Sequence, residues 1–386
     1  TKLHKDENIG KQIVPIIPDE ARTFGLEPLF RQCGIYSHLG QLYDPVDSDT
    51  LLYYRESKDG QILEEGITEA GSMSSFVAAG TAYSVHSINM IPFFIYYSMF
   101  GFQRIGDLIW AASEMQAKGF MMGGTAGRTT LAGEGLQHQD GHSHLLASTI
   151  PTVKSYDPAF AYEMAIIIQD GLRRMYTENE KWIYYLTIGN ENYPMPAKPG
   201  DVNEGVLRGI YCYQRSAVKK PKSKVTLFGS GAILREVLKA ADILAEKHNI
   251  AADVWSVTSY NELRRDCLAV ERWNRLHPTA KAKKSFLEEA LAKETGPFIA
   301  ASDYMKVMPD QISKWLPGKL TTLGTDGFGR SEDRPSLRRH FEVNAAHVVV
   351  GTLYALAEQG DVDKKAVSAA IKEFDIDPEA LDPQYA

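Results

Sequence analysis

Short apolar runs alternate with longer helical patterns along most of this chain, and this alternation constrains the fold more than any other feature. In the first half, β-branched and aromatic runs predict strands at residues 61–65, 90–96, 120–123 and 182–187. Apolar residues at helical spacing predict helices at 67–85, 104–118 and 158–176. Strands that alternate with helices form parallel sheets with crossover helices.

The second half repeats the alternation. It predicts strands at 225–228, 254–258, 298–301 and 320–323, and helices at 233–247, 261–276, 303–315 and 344–358. Between the halves, residues 191–204 contain Pro194, Pro196 and Pro199 and show almost no apolar periodicity, which is typical of a linker. The sequence therefore predicts two doubly wound α/β domains, residues 1–190 and 205–386, joined by this linker.

Charge and cysteine content exclude several classes of protein. The formal net charge of −7 argues against a nucleic-acid surface or a polybasic membrane contact. Cys33, Cys212 and Cys267 are too widely spaced for a disulfide framework or a paired metal site. The longest apolar run, residues 90–102, is too short to span a bilayer, and no signal-peptide pattern is present. We expect a cytoplasmic location, with neither nucleic acid nor membrane as a partner.

Glu69 is the first candidate for chemistry, because it follows a predicted strand and lies in the first turn of a predicted helix. Unpaired N–H groups and the helix dipole favour a carboxylate there, so the simplest interpretation is a helix cap. The alternative is a buried carboxyl group that shares a proton with a ring nitrogen of a bound cofactor.

An aromatic segment supplies the second candidate. Tyr97, Phe100 and Phe102 could pack in the core, which is the usual position of such residues. However, Gly101 interrupts the run and Arg104 lies at its edge. This mixture of ring faces and polar groups favours a stacking pocket for a flat heteroaromatic cofactor.

The third candidate is a glycine-rich histidine loop, residues 133–144, with His138, His142 and His144. Imidazoles are common zinc ligands, so a zinc hydrolase that uses these three residues is one hypothesis. The glycines favour a loop over the helix of a zinc protease, and the general-base glutamate of that motif is missing. The histidines could also carry protons or donate hydrogen bonds to a charged intermediate, and we expect His142 and His144 to be structural.

Two glycine turns give weaker signals. Gly229, Ser230 and Gly231 follow a predicted strand, as in phosphate loops, but Leu234 stands where a dinucleotide fingerprint requires its third glycine. Residues 325–330 form a glycine-rich turn after a strand, for which a simple connection is an adequate explanation.

Several blocks carry a family likeness: residues 17–25, 61–71, 95–107 and 133–144, with a further block at 324–341. Across residues 3–386 the chain resembles the carboxyl-terminal part of the homodimeric type of bacterial pyruvate dehydrogenase. That family is the first, thiamine-diphosphate-dependent component of the pyruvate dehydrogenase complex. The resemblance implies that residues 1–190 form a thiamine pyrimidine-binding domain and that residues 205–386 form a transketolase-like carboxyl-terminal domain.

The resemblance also implies roles for residues. Glu69 would engage the aminopyrimidine ring and drive the tautomer switch that leads to deprotonation of the thiazolium carbon. Ile67, Tyr97, Phe100 and Arg104 would contribute to the cofactor site.

Further catalytic roles are implied for His138 and Tyr97, which would hydrogen-bond the substrate adduct. Asp19 and Glu20 would lie near the mouth of the active centre. Pyruvate would be decarboxylated and its acetyl group passed to a lipoyl-bearing dihydrolipoyl acetyltransferase, with a second protomer completing a homodimer.

One part of the family pattern is missing. The family binds diphosphate and magnesium through a Gly-Asp-Gly signature with paired asparagines, and neither Asp140-Gly141 nor Asp326-Gly327 has the required neighbours. The magnesium ligands are therefore expected outside this chain, in an amino-terminal diphosphate-binding part. Alone, the chain should bind thiamine diphosphate weakly and should not turn over pyruvate. A non-catalytic scaffold or regulatory subunit that keeps the fold is the alternative.

Overall fold

The computed structural model describes residues 2–18, 21–46, 54–133 and 135–386. Asp19 and Glu20, two of the predicted catalytic residues, lie outside the described residues. The chain forms two compact units, each built from three stretches. The first unit consists of Thr1–Gly124, Leu146–Lys154 and Gly171–Asn190, and the second of Thr125–Leu145, Ser155–Asp170 and Glu191–Ala386.

Two main sheets organise the chain. The strands are, in chain order, β1 (Ile13–Ile17), β2 (Ile35–Tyr36), β3 (Glu56–Ser57), β4 (Leu63–Glu64), β5 (Ile91–Tyr97), β6 (Gly119–Gly124), β7 (Val153–Tyr156), β8 (Ile183–Thr187), β9 (Tyr211–Gln214), β10 (Ser223–Gly229), β11 (Ile250–Ser256), β12 (Phe298–Ala301) and β13 (Leu320–Leu323). The first sheet has the order β4-β1-β5-β6-β8-β7 and the second β13-β12-β10-β11-β9, while β2 and β3 form a separate pair.

The α-helices pack beside these sheets. They are, in chain order, α1 (Glu27–Cys33), α2 (Glu69–Val85), α3 (Phe102–Glu114), α4 (Ser143–Ala147), α5 (Ala161–Leu172), α6 (Asn203–Arg208), α7 (Leu234–His248), α8 (Tyr260–Leu276), α9 (Phe286–Ala290), α10 (Val307–Asp310), α11 (Arg334–His340), α12 (Ala345–Gln359) and α13 (Lys364–Glu373). In the described part of the chain, none of the helices combines the length and apolarity needed to cross a bilayer.

The first sheet is parallel wherever β1 takes part. β1 pairs with β4 on one side and with β5 on the other. The chain therefore passes from β4, on one side of β1, to β5, on the opposite side. The strand order therefore reverses at β1. In open α/β sheets, ligands bind at the carboxyl ends of strands next to such a reversal. Glu69 follows β4 and Tyr97 ends β5, so the fold brings two of the predicted site residues to this edge.

The second sheet is doubly wound around β10. β10 pairs in parallel with β11 and β12, and β9 runs antiparallel at one edge. Leu234 and Val237 of α7 pack with Leu353 of α12 in one apolar cluster, whereas Leu263 of α8 and Leu287 of α9 belong to another. Helices thus cover both faces, and the predicted α/β class with two parallel-sheet cores is confirmed.

Most predicted elements agree with the structure, but one helix prediction is wrong. β12 and β13 have the predicted bounds, and the ends of α2, α7, α8 and α12 lie within two residues of the predicted ends. The predicted helix at 303–315 is instead the short α10 and a separate 3₁₀ turn, Ser313–Trp315. Pro309, the third residue of α10, explains why no helix runs through from residue 303, because a proline ring clashes with the carbonyl of the preceding turn.

A buried lysine at the amino end of β6 is the least expected feature of the first unit. Lys118 is only 1% exposed. Its Nζ donates to the Met175 carbonyl at 3.0 Å and lies 3.9 Å from the centroid of the Tyr83 ring. Burial, reinforced by the nearby charge of Lys181, lowers the pKa of Lys118 to about 8.

This burial predicts a pH dependence of stability. Between pH 8 and 10.5 the unfolded chain keeps the Lys118 proton and the folded chain loses it, so the unfolding free energy rises with pH there. Lys118→Met should remove a contribution of up to roughly 3 kcal/mol to this rise. Urea unfolding of the wild type and the variant across this interval measures it, with the exposed Lys58→Met as control. Identical pH profiles for Lys118→Met and the wild type would contradict the prediction.

Candidate functional site

Glu69 is the first residue of α2, and it does not act as the helix cap. Thr68 has that function: its Oγ1 accepts from the Gly71 N–H at 3.1 Å. The Glu69 side chain is 8% exposed, and its Oε2 lies 3.0 Å from Nη1 of Arg104. The structure therefore favours the second interpretation of Glu69, a buried carboxylate available for other chemistry.

Arg104 connects this carboxylate to the aromatic segment. It lies in the first turn of α3, and its guanidinium carbon is 4.2 Å from the centroid of the Phe100 ring. Stacking on the ring and hydrogen bonding to Glu69 fix the guanidinium plane from two directions. Half of the Arg104 side chain remains exposed, so water weakens the ion pair.

The ring faces form a contiguous cluster in the first unit. Tyr97 lies at the carboxyl end of β5, with its ring edge-to-face to Phe100 at 6.0 Å and to Phe24 at 5.1 Å. Sequence reasoning missed Phe24. The signal was present, since Phe24 lies in the first family-like block, but only the fold brings it beside Tyr97.

Two glycines let aromatic rings lie directly against the backbone. A Cβ on Gly124 would lie 2.3 Å from Cε1 of Phe24, and a Cβ on Gly101 would lie 2.2 Å from Cε2 of Tyr96. Such distances are far inside van der Waals contact, so any side chain there would displace a ring. Gly124 is therefore required for the cradle formed by Phe24, Tyr97 and Phe100, and Gly101 for the position of the buried Tyr96 ring.

The Glu69 carboxyl group is connected to this cradle through Arg104, which contacts both Oε2 of Glu69 and the Phe100 ring. A carboxyl group beside ring faces can form a hydrogen bond to a nitrogen of a flat heteroaromatic ring. Ile67, predicted to contribute, precedes Thr68 and has a side chain that is 81% exposed.

His138 belongs to the second unit. It is partly buried and is the last residue of the 3₁₀ turn Leu136–His138. The N–H groups of His142 and Ser143 both donate to Oδ1 of Asp140 at 2.9 Å, which stabilises the turn into α4. Residues 135–142 form the predicted loop, which contains one 3₁₀ turn, whereas Ser143 and His144 belong to α4.

His144 has a different environment. It is 4% exposed, packs edge-to-face with Tyr304 at 4.7 Å, and its burial lowers its pKa to about 4, so the ring is neutral. With Tyr260 and Ser302, it lines a cleft beyond the carboxyl ends of the second sheet. Among the described residues, no three His, Cys, Asp or Glu side chains are placed to hold a metal ion. The zinc hypothesis gains no support.

The possible phosphate loop after β10 is also unsupported. Gly231 has a φ of +47°, and a Cβ there would lie 2.6 Å from each carboxyl oxygen of Asp157. An acidic side chain therefore lies directly against this turn. A carboxylate repels phosphate, so the geometry is unfavourable for a nucleotide.

Two family models match the chain. Residues 1–196 match the pyruvate dehydrogenase E1 component middle domain. The chain belongs to this family. Residues 209–344 match the transketolase-like TK C-terminal domain. The resemblance inferred from the sequence blocks is confirmed.

Curated relatives extend the match to nearly the whole chain. The pyruvate dehydrogenase E1 component of Pseudomonas aeruginosa is 58% identical over 384 residues, and that of Escherichia coli K12 is 52% identical over 384 residues. Each match covers 99% of this chain but 43% of the relative. The chain thus spans less than half the length of these relatives.

Solved transketolases share the fold. Campylobacter jejuni transketolase superposes with a TM-score of 0.61 at 15% identity, covering 88% of this chain and 43% of its own. A split-gene transketolase, described as an inactive β4 tetramer, superposes with a TM-score of 0.60 at 16% identity, covering 92% of this chain and 95% of its own. At such identities the likeness concerns the fold alone.

The Glu69–Arg104 pair should contribute little to stability. Because Arg104 is half exposed, we expect the double-mutant cycle of Glu69→Gln and Arg104→Gln to give a coupling below about 1 kcal/mol in unfolding free energy. Urea unfolding of the four proteins measures this coupling.

A buried ion pair in the second unit provides the comparison. Arg338 and Glu191 are 7% and 13% exposed in their side chains, and removal of one partner should cost roughly 3–5 kcal/mol. A Glu69–Arg104 coupling of roughly 3–5 kcal/mol would contradict the prediction, because the pair would then contribute substantially to the stability of the fold.

Proposed function

We propose that this chain is the part of a thiamine-diphosphate-dependent pyruvate dehydrogenase that holds the pyrimidine end of the cofactor. In the complete enzyme it takes part in decarboxylating pyruvate and in reductive acetylation of a lipoyl group. The observation that carries the proposal is the buried Glu69 carboxylate beside an aromatic cradle at the strand-order reversal. Relatives named pyruvate dehydrogenase E1 component, up to 58% identical, support it.

The residues present fit an aminopyrimidine ring. Such a ring needs a carboxyl group at one ring nitrogen and apolar faces above or below its plane. Glu69 supplies the first, and Tyr97, Phe100 and Phe24 supply the second. We propose the domain division 1–190, 191–204 and 205–386 on the same basis, which the family-model ranges 1–196 and 209–344 support.

Each residue has a proposed task. When bound, thiamine diphosphate supplies the nucleophilic carbon and the electron sink of the reaction. Glu69 shares a proton with a ring nitrogen, and Arg104 holds the Glu69 carboxylate in one orientation. Tyr97 and Phe100 exclude water and hold the ring plane. His138 and Tyr97 donate hydrogen bonds to the substrate, and Ile67, Asp19 and Glu20 stay predicted site residues.

The diphosphate and magnesium are proposed to bind outside this chain, in an amino-terminal part. Asp140 is already engaged by the His142 and Ser143 N–H groups, and Asp326 lies 3.7 Å from Nζ of Lys306. The match of this chain to only 43% of the length of the curated relatives supports an incomplete active centre. The scaffold and zinc-hydrolase alternatives receive no support from the relatives.

The remaining partners are proposed from the family. They are a second protomer of a homodimer and a lipoyl-bearing dihydrolipoyl acetyltransferase, in the cytoplasm. The relatives' shared name, pyruvate dehydrogenase E1 component, supports the acyltransferase most directly.

Pyruvate-dependent dye reduction tests the proposal. With thiamine diphosphate and magnesium, we expect no turnover by this chain alone and turnover after combination with the amino-terminal part. Glu69→Gln should then lower the rate at least about 100-fold, because its amide cannot exchange a proton with the ring.

Glu114→Gln is the matched control. Glu114 is exposed at the far end of the helix that begins beside Arg104, so its loss should leave the rate unchanged. Full activity of Glu69→Gln would overturn the role of Glu69. Turnover by the chain alone would overturn the assignment of the magnesium site to another segment.

A further inference from the structure

The histidine loop is held by a segment of the second unit that lies almost two hundred residues later. The backbone N–H of Arg330 donates to Oε1 of Gln139 at 2.7 Å, across 191 positions. The N–H of Gly133 donates to the Glu332 carbonyl at 3.2 Å. Arg330 and Glu332 belong to the stretch of residues that follows β13, the 324–334 segment.

The residues just before the loop contact the same segment. Arg128 is 6% exposed, and its guanidinium donates to the carbonyls of Thr325, at 2.7 Å, and of Gly327. In the other direction, Nε of Arg334 donates to the Thr130 carbonyl at 2.6 Å. Charge-assisted hydrogen bonds of this kind are stronger than neutral ones, so they hold residues 128–130 firmly against the 324–334 segment.

Gln139 links this contact to the predicted catalytic histidine. It directly follows His138 and is 1% exposed. While its Oε1 accepts from Arg330, its Nε2 donates to the Leu131 carbonyl at 3.3 Å. Both ends of the buried amide are therefore used, which holds one side-chain conformation and fixes the backbone beside His138.

Gly329 permits the closest approach. A Cβ at this position would lie 2.6 Å from the Leu136 carbonyl oxygen and 2.8 Å from Oε1 of Gln139. Leu136 begins the 3₁₀ turn that ends at His138. The absence of a side chain at Gly329 thus sets how near the 324–334 segment lies to the turn that bears the histidine.

We propose that the 324–334 segment sets the position of His138, with Gln139 and Gly329 as positioning residues. Through His138, the second unit thereby contributes to the reaction. This inference rests on the proposed function, which gives His138 a hydrogen bond to the substrate.

A double-mutant cycle in the complete enzyme tests the proposal. Gly329→Ala should lower kcat for pyruvate about 10- to 100-fold, since a displacement of about 1 Å costs this much when a catalytic group is misplaced. Thiamine diphosphate affinity should stay unchanged, because Glu69 and its cradle are untouched. Combined with His138→Ala, the Gly329→Ala change should cause no further loss.

Gly351→Ala is the matched control. Gly351 lies in α12 of the same unit, and a Cβ there would meet its nearest neighbour, Cδ1 of Leu323, at an ordinary 3.8 Å. Its kcat should equal that of the wild type. Gln139→Leu removes both amide hydrogen bonds without adding volume against the backbone, and it replaces Gly329→Ala in the cycle if thermal unfolding shows that the alanine variant is unfolded.

The outcomes separate this proposal from the one it rests on. If the losses from Gly329→Ala and His138→Ala multiply in the double variant, the segment acts through general loosening and the positioning proposal is overturned, while the role of His138 stands. If His138→Ala alone leaves kcat unchanged, the proposed role of His138 is wrong and the positioning proposal falls with it.

Discussion

The pairing of β1 with two neighbours at once is the constraint on which the first unit depends. The five residues of β1 are all buried, and the strand lies between β4 and β5. Because β4 leads into Glu69 and β5 ends at Tyr97, this one strand fixes the separation of a carboxylate and a ring that lie far apart in sequence. Without β1 between β4 and β5, neither the cradle nor the Glu69–Arg104 contact would be held in position.

Sequence patterns could predict the outer parts of this arrangement better than its centre. β5 was predictable because it is apolar on both faces, as parallel strands are. β1 was not predicted, because Pro15 lies in its middle and proline normally argues against a central strand. The sheet accommodates Pro15 because β1 is buried along its whole length and its other residues pair with β4 and β5. Proline also interrupts the helix predicted after β12, where Pro309 lies.

The candidate site shows the same limit. Glu69, Tyr97, Phe100 and Arg104 stood out from residue type, turn position and family likeness. The contacts among these residues could not be predicted, because the hydrogen bond between Arg104 and Glu69, 35 positions apart, depends on how two helices start from strands on either side of β1. Phe24 carried no periodic signal of its own, and only packing against Gly124 shows what it does.

The contact between Gln139 and Arg330 has a consequence for how the protein is made. During synthesis at about 5–20 residues per second, the 191 positions that separate them take on the order of ten to forty seconds to emerge. Throughout that interval the 3₁₀ turn that bears His138 has been made but lacks the backbone it packs against. The turn that bears His138 is therefore expected to be among the last parts of the chain to acquire its final shape, after both sheets have formed.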